Sequence, residues 1–144
     1  MGELYKSKCY CTNLRRSANA VSALYDSELE GSGLTVGQYY LLINLRRLGS
    51  ANITHWADTV GLERSTMVRN IRVVESHGFV EQTEGRGKTY TLSDKGNSAL
   101  DKAIPKWEKA QSRIVELLGR EDAEAVIRIG WTLQNLKAED ETVL

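Results

Sequence analysis

The sequence is short of the residues that most often advertise chemistry. It has two cysteines, two histidines and one proline in 144 residues. Cys9 and Cys11 lie together near the start, while His55 and His77 lie far from them and from each other. No zinc-ligand spacing can be assembled from that set, so no metal is expected. There is no glycine-rich phosphate loop and no nucleophile elbow, and Gly85-x-Gly87 is a fragment that suits a hairpin tip better than a nucleotide site. Neither catalysis nor a cofactor is therefore expected. No apolar run approaches the roughly 18 residues of a membrane span, and the polar stretch from Met1 to Lys8 does not read as a secretory leader. A cytoplasmic protein without membrane contact follows as the expectation. An excess of one charge is also missing, with nineteen basic and nineteen acidic residues. Any polyanionic partner must then be met by local arrangement of charge.

What is present is an ordinary globular composition, 41% hydrophobic and 26% charged, long enough for a single domain over residues 1–144 with a real core. The chain is organised around Ile53 to Leu92. In Ile53-Thr54-His55-Trp56-Ala57-Asp58-Thr59-Val60, the apolar Trp56, Ala57 and Val60 recur at helical spacing, with Thr54 as the expected N-cap. Gly61 supplies the turn. A second helix is predicted from about Arg64 to His77, burying Met67, Ile71 and Val74 while Ser65, Thr66, Arg69, Asn70 and Arg72 occupy the remainder. Two helices around a glycine turn, the second with an Arg/Ser/Thr/Asn face, make a helix-turn-helix that lays its second helix in the major groove of DNA.

β-formers from Phe79 to Glu84 and from Lys88 to Leu92 flank Gly85-Arg86-Gly87, which predicts a hairpin with an arginine at its tip. Minor grooves attract inserted arginine, so this hairpin reads as a wing touching DNA. Between Gly61 and Leu92 the bases Arg64, Arg69, Arg72, Arg86 and Lys88 face Glu63, Glu75, Glu81 and Glu84, a net charge of only +1. A modest non-specific affinity with a shallow salt dependence is expected.

The flanks are helical. A first helix is predicted from about Lys6 to Leu29 on Leu14, Ala18, Val21, Leu24, Tyr25 and Leu29. Gly31-Ser32-Gly33 breaks it, and Thr35-x-x-Gln38 forms a capping box that opens a helix over Val36 to Leu48. Ser93 caps a long helix carrying Leu100, Ile104, Trp107, Ile114, Leu117 and Leu118, with Pro105 predicted to kink or break it near Ala103. A last helix over Glu121 to Leu136 shows a stripe of Ala125, Val126, Ile129, Leu133 and Leu136. The fold class is thus mainly α (α+β), a winged helix-turn-helix over 35–92 with terminal helices at 6–30 and 94–137. Those terminal helices are more apolar than one small lobe needs, and a two-fold homodimer would set two reading helices roughly 34 Å apart, matching a pseudo-palindromic operator. Within the second helix, Arg69 and Asn70 have the geometry for base edges, together with Ser65 and Thr66, while Arg64 and Arg72 suit phosphates, and Lys88 on the wing is a further DNA-binding candidate. A winged helix used as a protein-interaction adaptor is the rival, and a polar reading face argues against it.

The stretch Leu62-Glu63-Arg64-Ser65-Thr66-Met67-Val68-Arg69-Asn70-Ile71, the later Tyr90-Thr91-Leu92-Ser93-Asp94-Lys95-Gly96, and the upstream Leu24-Tyr25-Asp26 and Gly33-Leu34-Thr35-Val36-Gly37-Gln38-Tyr39 resemble the MarR (multiple antibiotic resistance regulator) family of winged-helix repressors across nearly the whole chain. Family wings carry Asp-x-Arg at the tip, and here Gly85-Arg86-Gly87-Lys88 keeps the arginine without its acidic neighbour. The resemblance implies a dimeric transcriptional repressor released by a small aromatic or phenolic effector. Tyr39, Tyr40, Trp56 and Trp107 are candidates for the cleft wall, and Arg15 or Arg16 for a carboxylate. It also implies a thiol-based alternative. Cys11 falls where the organic-hydroperoxide-sensing branch carries its reactive cysteine, and Tyr25 matches a tyrosine that holds the thiolate there. Arg15 and Val36 stand where that branch has further tyrosines. On one helix Cys9 and Cys11 would point about 200° apart, which predicts that they do not bond each other.

Overall fold

A computed structural model describes residues 5–83 and 87–136. The chain resolves into two compact units, Met1–Trp107 and Glu108–Leu144. In the first, α1 (Tyr10–Glu28) and α2 (Val36–Leu48) precede a short strand β1 (Ala51–Asn52), helices α3 (Ile53–Val60) and α4 (Arg64–Ser76), and the hairpin β2 (Val80–Thr83) and β3 (Thr89–Leu92). Helix α5 (Asp94–Leu118) begins in this unit and continues into the second, which also holds α6 (Arg120–Gln134).

Helix α2 starts where its capping box requires: the Thr35 hydroxyl accepts from the Gln38 amide and the Gln38 side chain accepts from the Thr35 amide. A further clamp comes from α1, where Asp26 Oδ1 accepts the Val36 amide at 2.7 Å. This gives the aspartate of Leu24-Tyr25-Asp26 a structural role, since a carboxylate at a helix start meets the positive end of the dipole. Helix α1 itself begins at Tyr10 and not at Lys6. The Asn13 side-chain amide donates to the carbonyls of Ser7 and Cys9, and Ser7 Oγ accepts the Cys9 amide. These local side-chain bonds hold the preceding backbone out of the helix.

The core of the first unit is one cluster built on Leu29, Leu42, Leu45, Trp56, Met67, Val74 and Leu100. Trp56 is fully buried and its indole N–H donates to the Leu41 carbonyl at 3.0 Å, so the one polar atom of the side chain is satisfied inside the core. The sheet order is β1-β3-β2, all antiparallel, with Val80 opposite Leu92 and Ala51 opposite Tyr90. Because Asn52 is extended in β1, it and not Thr54 caps α3, its Oδ1 accepting the His55 amide at 2.8 Å. Ser93 behaves as expected, its Oγ accepting the Gly96 amide while its hydroxyl donates to the Gly78 carbonyl. Gly96 lies so close to the Phe79 carbonyl that a β-carbon there would overlap it.

Pro105 does not break α5, which is one element from Asp94 to Leu118. The buried Leu100 and Ala103 precede it, and their packing outweighs the missing backbone bond. In the second unit, the stripe on α6 is present but not buried. Val126, Ile129, Trp131 and Leu133 are 55%, 49%, 68% and 38% exposed, and no residue of α6 is buried. On α1, Leu14 and Val21 are likewise exposed and only Tyr25 is buried.

Candidate nucleic-acid interface

Helices α3 and α4 are joined by Gly61 in the left-handed conformation (φ +73°), and the Leu62 amide closes back on the Ala57 carbonyl at 3.0 Å. Arg64 Nη1 donates to Thr54 Oγ1 at 2.8 Å, tying the first turn of α4 to α3. Thr54 is therefore a helix–helix clamp instead of a cap.

Along α4, Met67, Ile71 and Val74 are buried, and Ser65, Arg69 and Arg72 form an exposed strip on the opposite side. Arg69 Nη2 lies 3.4 Å from Thr66 Oγ1, which is half-buried at the edge of the strip. Asn70 sits differently from the sequence expectation. It is half-buried and lines a groove of about 340 Å³ between α2, α3 and α4, with Gln38, Tyr40, Leu62 and Val73. Near 100° per residue, Asn70 falls beside the buried stripe and not across from it. Val73, 44% exposed on the same helix, is a feature that the polar reading of this face passed over.

The hairpin is locked against α4. Gln82 Nε2 donates to Glu75 Oε2 at 3.0 Å and lies 3.5 Å from the Tyr90 hydroxyl. Burial, then the Glu75 charge, raises the Tyr90 pKa above the ordinary tyrosine value. The Thr83 and Thr89 hydroxyls are hydrogen-bonded across the stem. Lys88 is exposed, whereas Arg86, the expected tip arginine, lies outside the described residues. Glu63 is the residue before α4 and Glu75 is engaged by Gln82, so the strip between them is left basic.

The candidate effector residues separate. Trp56 is core, with no exposed surface for a ligand. Tyr39 is buried and stacks on Trp107 with ring centroids 5.8 Å apart. Tyr40 alone of the four aromatics is exposed and borders the groove. Arg15 is elsewhere, its Nη2 3.8 Å from Cys11 Sγ. Cys9 and Cys11 are both free and exposed, and Cys9 precedes α1 in extended conformation, so the two do not share one helix. The Thr12 side chain, then its backbone, lowers the Cys9 thiol pKa. Tyr25 is fourteen residues beyond Cys11 on α1, about 21 Å at helical rise, so one chain does not bring them together. Among the described residues no group of three His, Cys, Asp or Glu is placed to hold a metal, and no helix is long and apolar enough to cross a membrane.

A helix-turn-helix whose second helix bears an exposed cationic strip, braced by a hairpin, defines a winged-helix DNA-binding architecture. No family model matches the chain. The crystal structure of the Mycobacterium tuberculosis transcriptional regulator MosR in complex with DNA is 31% identical, with 95% of this chain and 100% of that one aligned at a TM-score of 0.82. The transcriptional repressor CouR bound to p-coumaroyl-CoA is 25% identical over 93% of this chain and 99% of its own, with a TM-score of 0.83. An uncharacterized HTH-type transcriptional regulator of Bacillus cereus is 24% identical over 115 residues, covering 79% of this chain and 78% of the relative. The chain belongs to the MarR family of winged-helix transcriptional regulators. Its relatives are DNA-binding regulators and not enzymes.

Proposed function

We propose that this protein is a sequence-specific repressor that binds a pseudo-palindromic DNA site as a homodimer in the cytoplasm and releases it when a small aromatic molecule occupies the groove beside Tyr40. The observation carrying this reading is the strip of Ser65, Arg69 and Arg72 on a helix that Arg64 and Gln82 hold at both ends. Arg69 and Ser65 read base edges, Arg64, Arg72 and Lys88 meet phosphates, and Arg86 enters the minor groove from the wing. The exposed apolar residues on α1 and α6 give a second copy its surface. The groove supports effector control because Asn70 and Val73, on the reading helix, form part of its wall, and because CouR has been captured with both a 23-mer duplex and an acyl-CoA.

Selection from a random double-stranded pool at moderate ionic strength tests the reading. A retained consensus with two half-sites supports it, and a pool from which nothing is retained overturns it.

The surroundings of Cys11 favour a second mode of control. Arg15 Nη2 lies 3.8 Å from its sulfur, and the thiol is exposed to solvent. A hydroperoxide attacked by the Cys11 thiolate would leave as an alcohol, with the sulfur oxidised to sulfenic acid. Peroxide treatment that leaves DNA affinity unchanged in both the parent and Cys11→Ser dismisses this mode.

A further inference from the structure

Helix α4 exposes one apolar side chain within its basic face. Val73 is 44% exposed, whereas Met67, Ile71 and Val74 on the same helix are buried. At 100° per residue Val73 stands about 40° round the axis from Arg69, on the Thr66 edge of the strip, and about 6 Å further along it. We propose that Val73 is a specificity-determining residue whose methyl groups recognise the C5-methyl group of a thymine in the major groove, close to the base that Arg69 reads. This inference rests on the reading of α4 as the helix that enters the groove.

The chemistry follows from what an isolated valine can do on such a face. Its exposed neighbours on α4 are Ser65, Arg69, Arg72 and Ser76, all polar, so the strip itself offers no continuous apolar patch for a protein partner. The Ser76 hydroxyl donates to the Val73 carbonyl at 2.7 Å, which turns that polar group back onto the helix. Valine can neither pair with a phosphate nor hydrogen-bond a base edge. Burial against another apolar group is the contact open to it, and among the four bases only thymine carries a methyl group into the major groove. The side chain is also ready for that contact. A β-branched residue in a helix is nearly confined to one rotamer, so both methyl groups of Val73 are held in place before a duplex arrives. The axial offset of about 6 Å, against a base step of about 3.4 Å, puts the thymine one or two base pairs from the base beneath Arg69. Arg69 and Val73 would then read neighbouring positions by different means, one by hydrogen bonds and the other by shape.

Replacing thymine by uracil deletes that methyl group and leaves the base pairing intact, so it isolates the contact. Each thymine in one half-site of a pool-selected duplex is changed in turn to deoxyuridine, and binding by the full-length parent and by Val73→Ala is measured by anisotropy. Val73 is exposed and alanine is the better helix former, so the variant folds as the parent does. One thymine whose replacement weakens the parent about fourfold, the worth of one buried methyl group, and leaves Val73→Ala unaffected supports the proposal. A scan in which no replacement weakens the parent overturns it, while recognition of the duplex by α4 stands. So does a scan in which Val73→Ala senses the same thymine as strongly as the parent, which would leave Val73 as a wall of the Tyr40 groove. A protein that retains no duplex from the pool overturns both this contact and the function on which it rests.

Discussion

Single side chains carry the reading of DNA, and each has a distinct signature when removed. Arg69 is exposed and, among the described residues, makes only a long contact to Thr66, which leaves its guanidinium available for a forked pair with a base edge. Arg69→Ala is expected to weaken the selected site by about 1 to 3 kcal/mol and relax one base position, measured by anisotropy on a panel of point-changed duplexes. Arg86→Ala is expected to weaken binding evenly across sequences instead. At Cys9, the Thr12 hydroxyl stabilises the thiolate, so the pH profile of alkylation should lie below that of an ordinary thiol. Thr12→Val should move the profile back up. Tyr90 titrates in the opposite sense. Its raised pKa means that an unfolded chain, whose tyrosines ionise near about 10, is favoured as the solution becomes more alkaline. Its contribution to stability is complete at neutral pH and is lost above that value, which denaturant melts at rising pH check.

The elements show what a linear pattern can and cannot convey. Helix α2 was legible to the residue because its signals are local: a capping box at Thr35 and Gln38, and a glycine at 49 that cannot continue it. The start of α3 was not, since Thr54 and Asn52 are both competent caps. The choice falls to Asn52 through the pairing of β1 with β3, nearly forty residues further on. The apolar stripe on α6 was read correctly as a stripe, but periodicity reports that a face wants covering and not what covers it. Asn70 shows the same limit at finer grain: its residue type suits adenine, while its place on the helix turns it toward the groove. The requirement for glycine at position 96 is steric and has no local sequence signal. The start of α5 rests on the Phe79 carbonyl, leaving no room for a β-carbon. Gly96→Ala should therefore cost about 1 to 3 kcal/mol by denaturant unfolding, despite the better helix propensity of alanine. A variant as stable as the parent would show that α5 can shift without loss.

For the molecule as a whole, neutrality and exposed apolar surface make opposite demands. A chain with no net charge lacks long-range attraction for a duplex, so affinity should depend only shallowly on salt, and a steep slope in a titration would contradict the charge map drawn from α4 and the wing. Trp131, 68% exposed on α6, has no reason to face water in a lone chain. Trp131→Arg should leave each unit folded and lower the mass seen by light scattering to that of one copy, with operator affinity falling in step. A parent that is already a single copy at micromolar concentration would remove α6 from any such role.

The wall that α4 contributes to the Tyr40 groove has one thermodynamic consequence. A compound seated there and a duplex seated on the strip address the same helix from two sides, so their binding equilibria form a closed cycle. Whatever factor the compound takes from the duplex, the duplex must take from the compound. An inducer could therefore be recognised without any transcriptional assay, by its looser hold on the protein once saturating duplex is added.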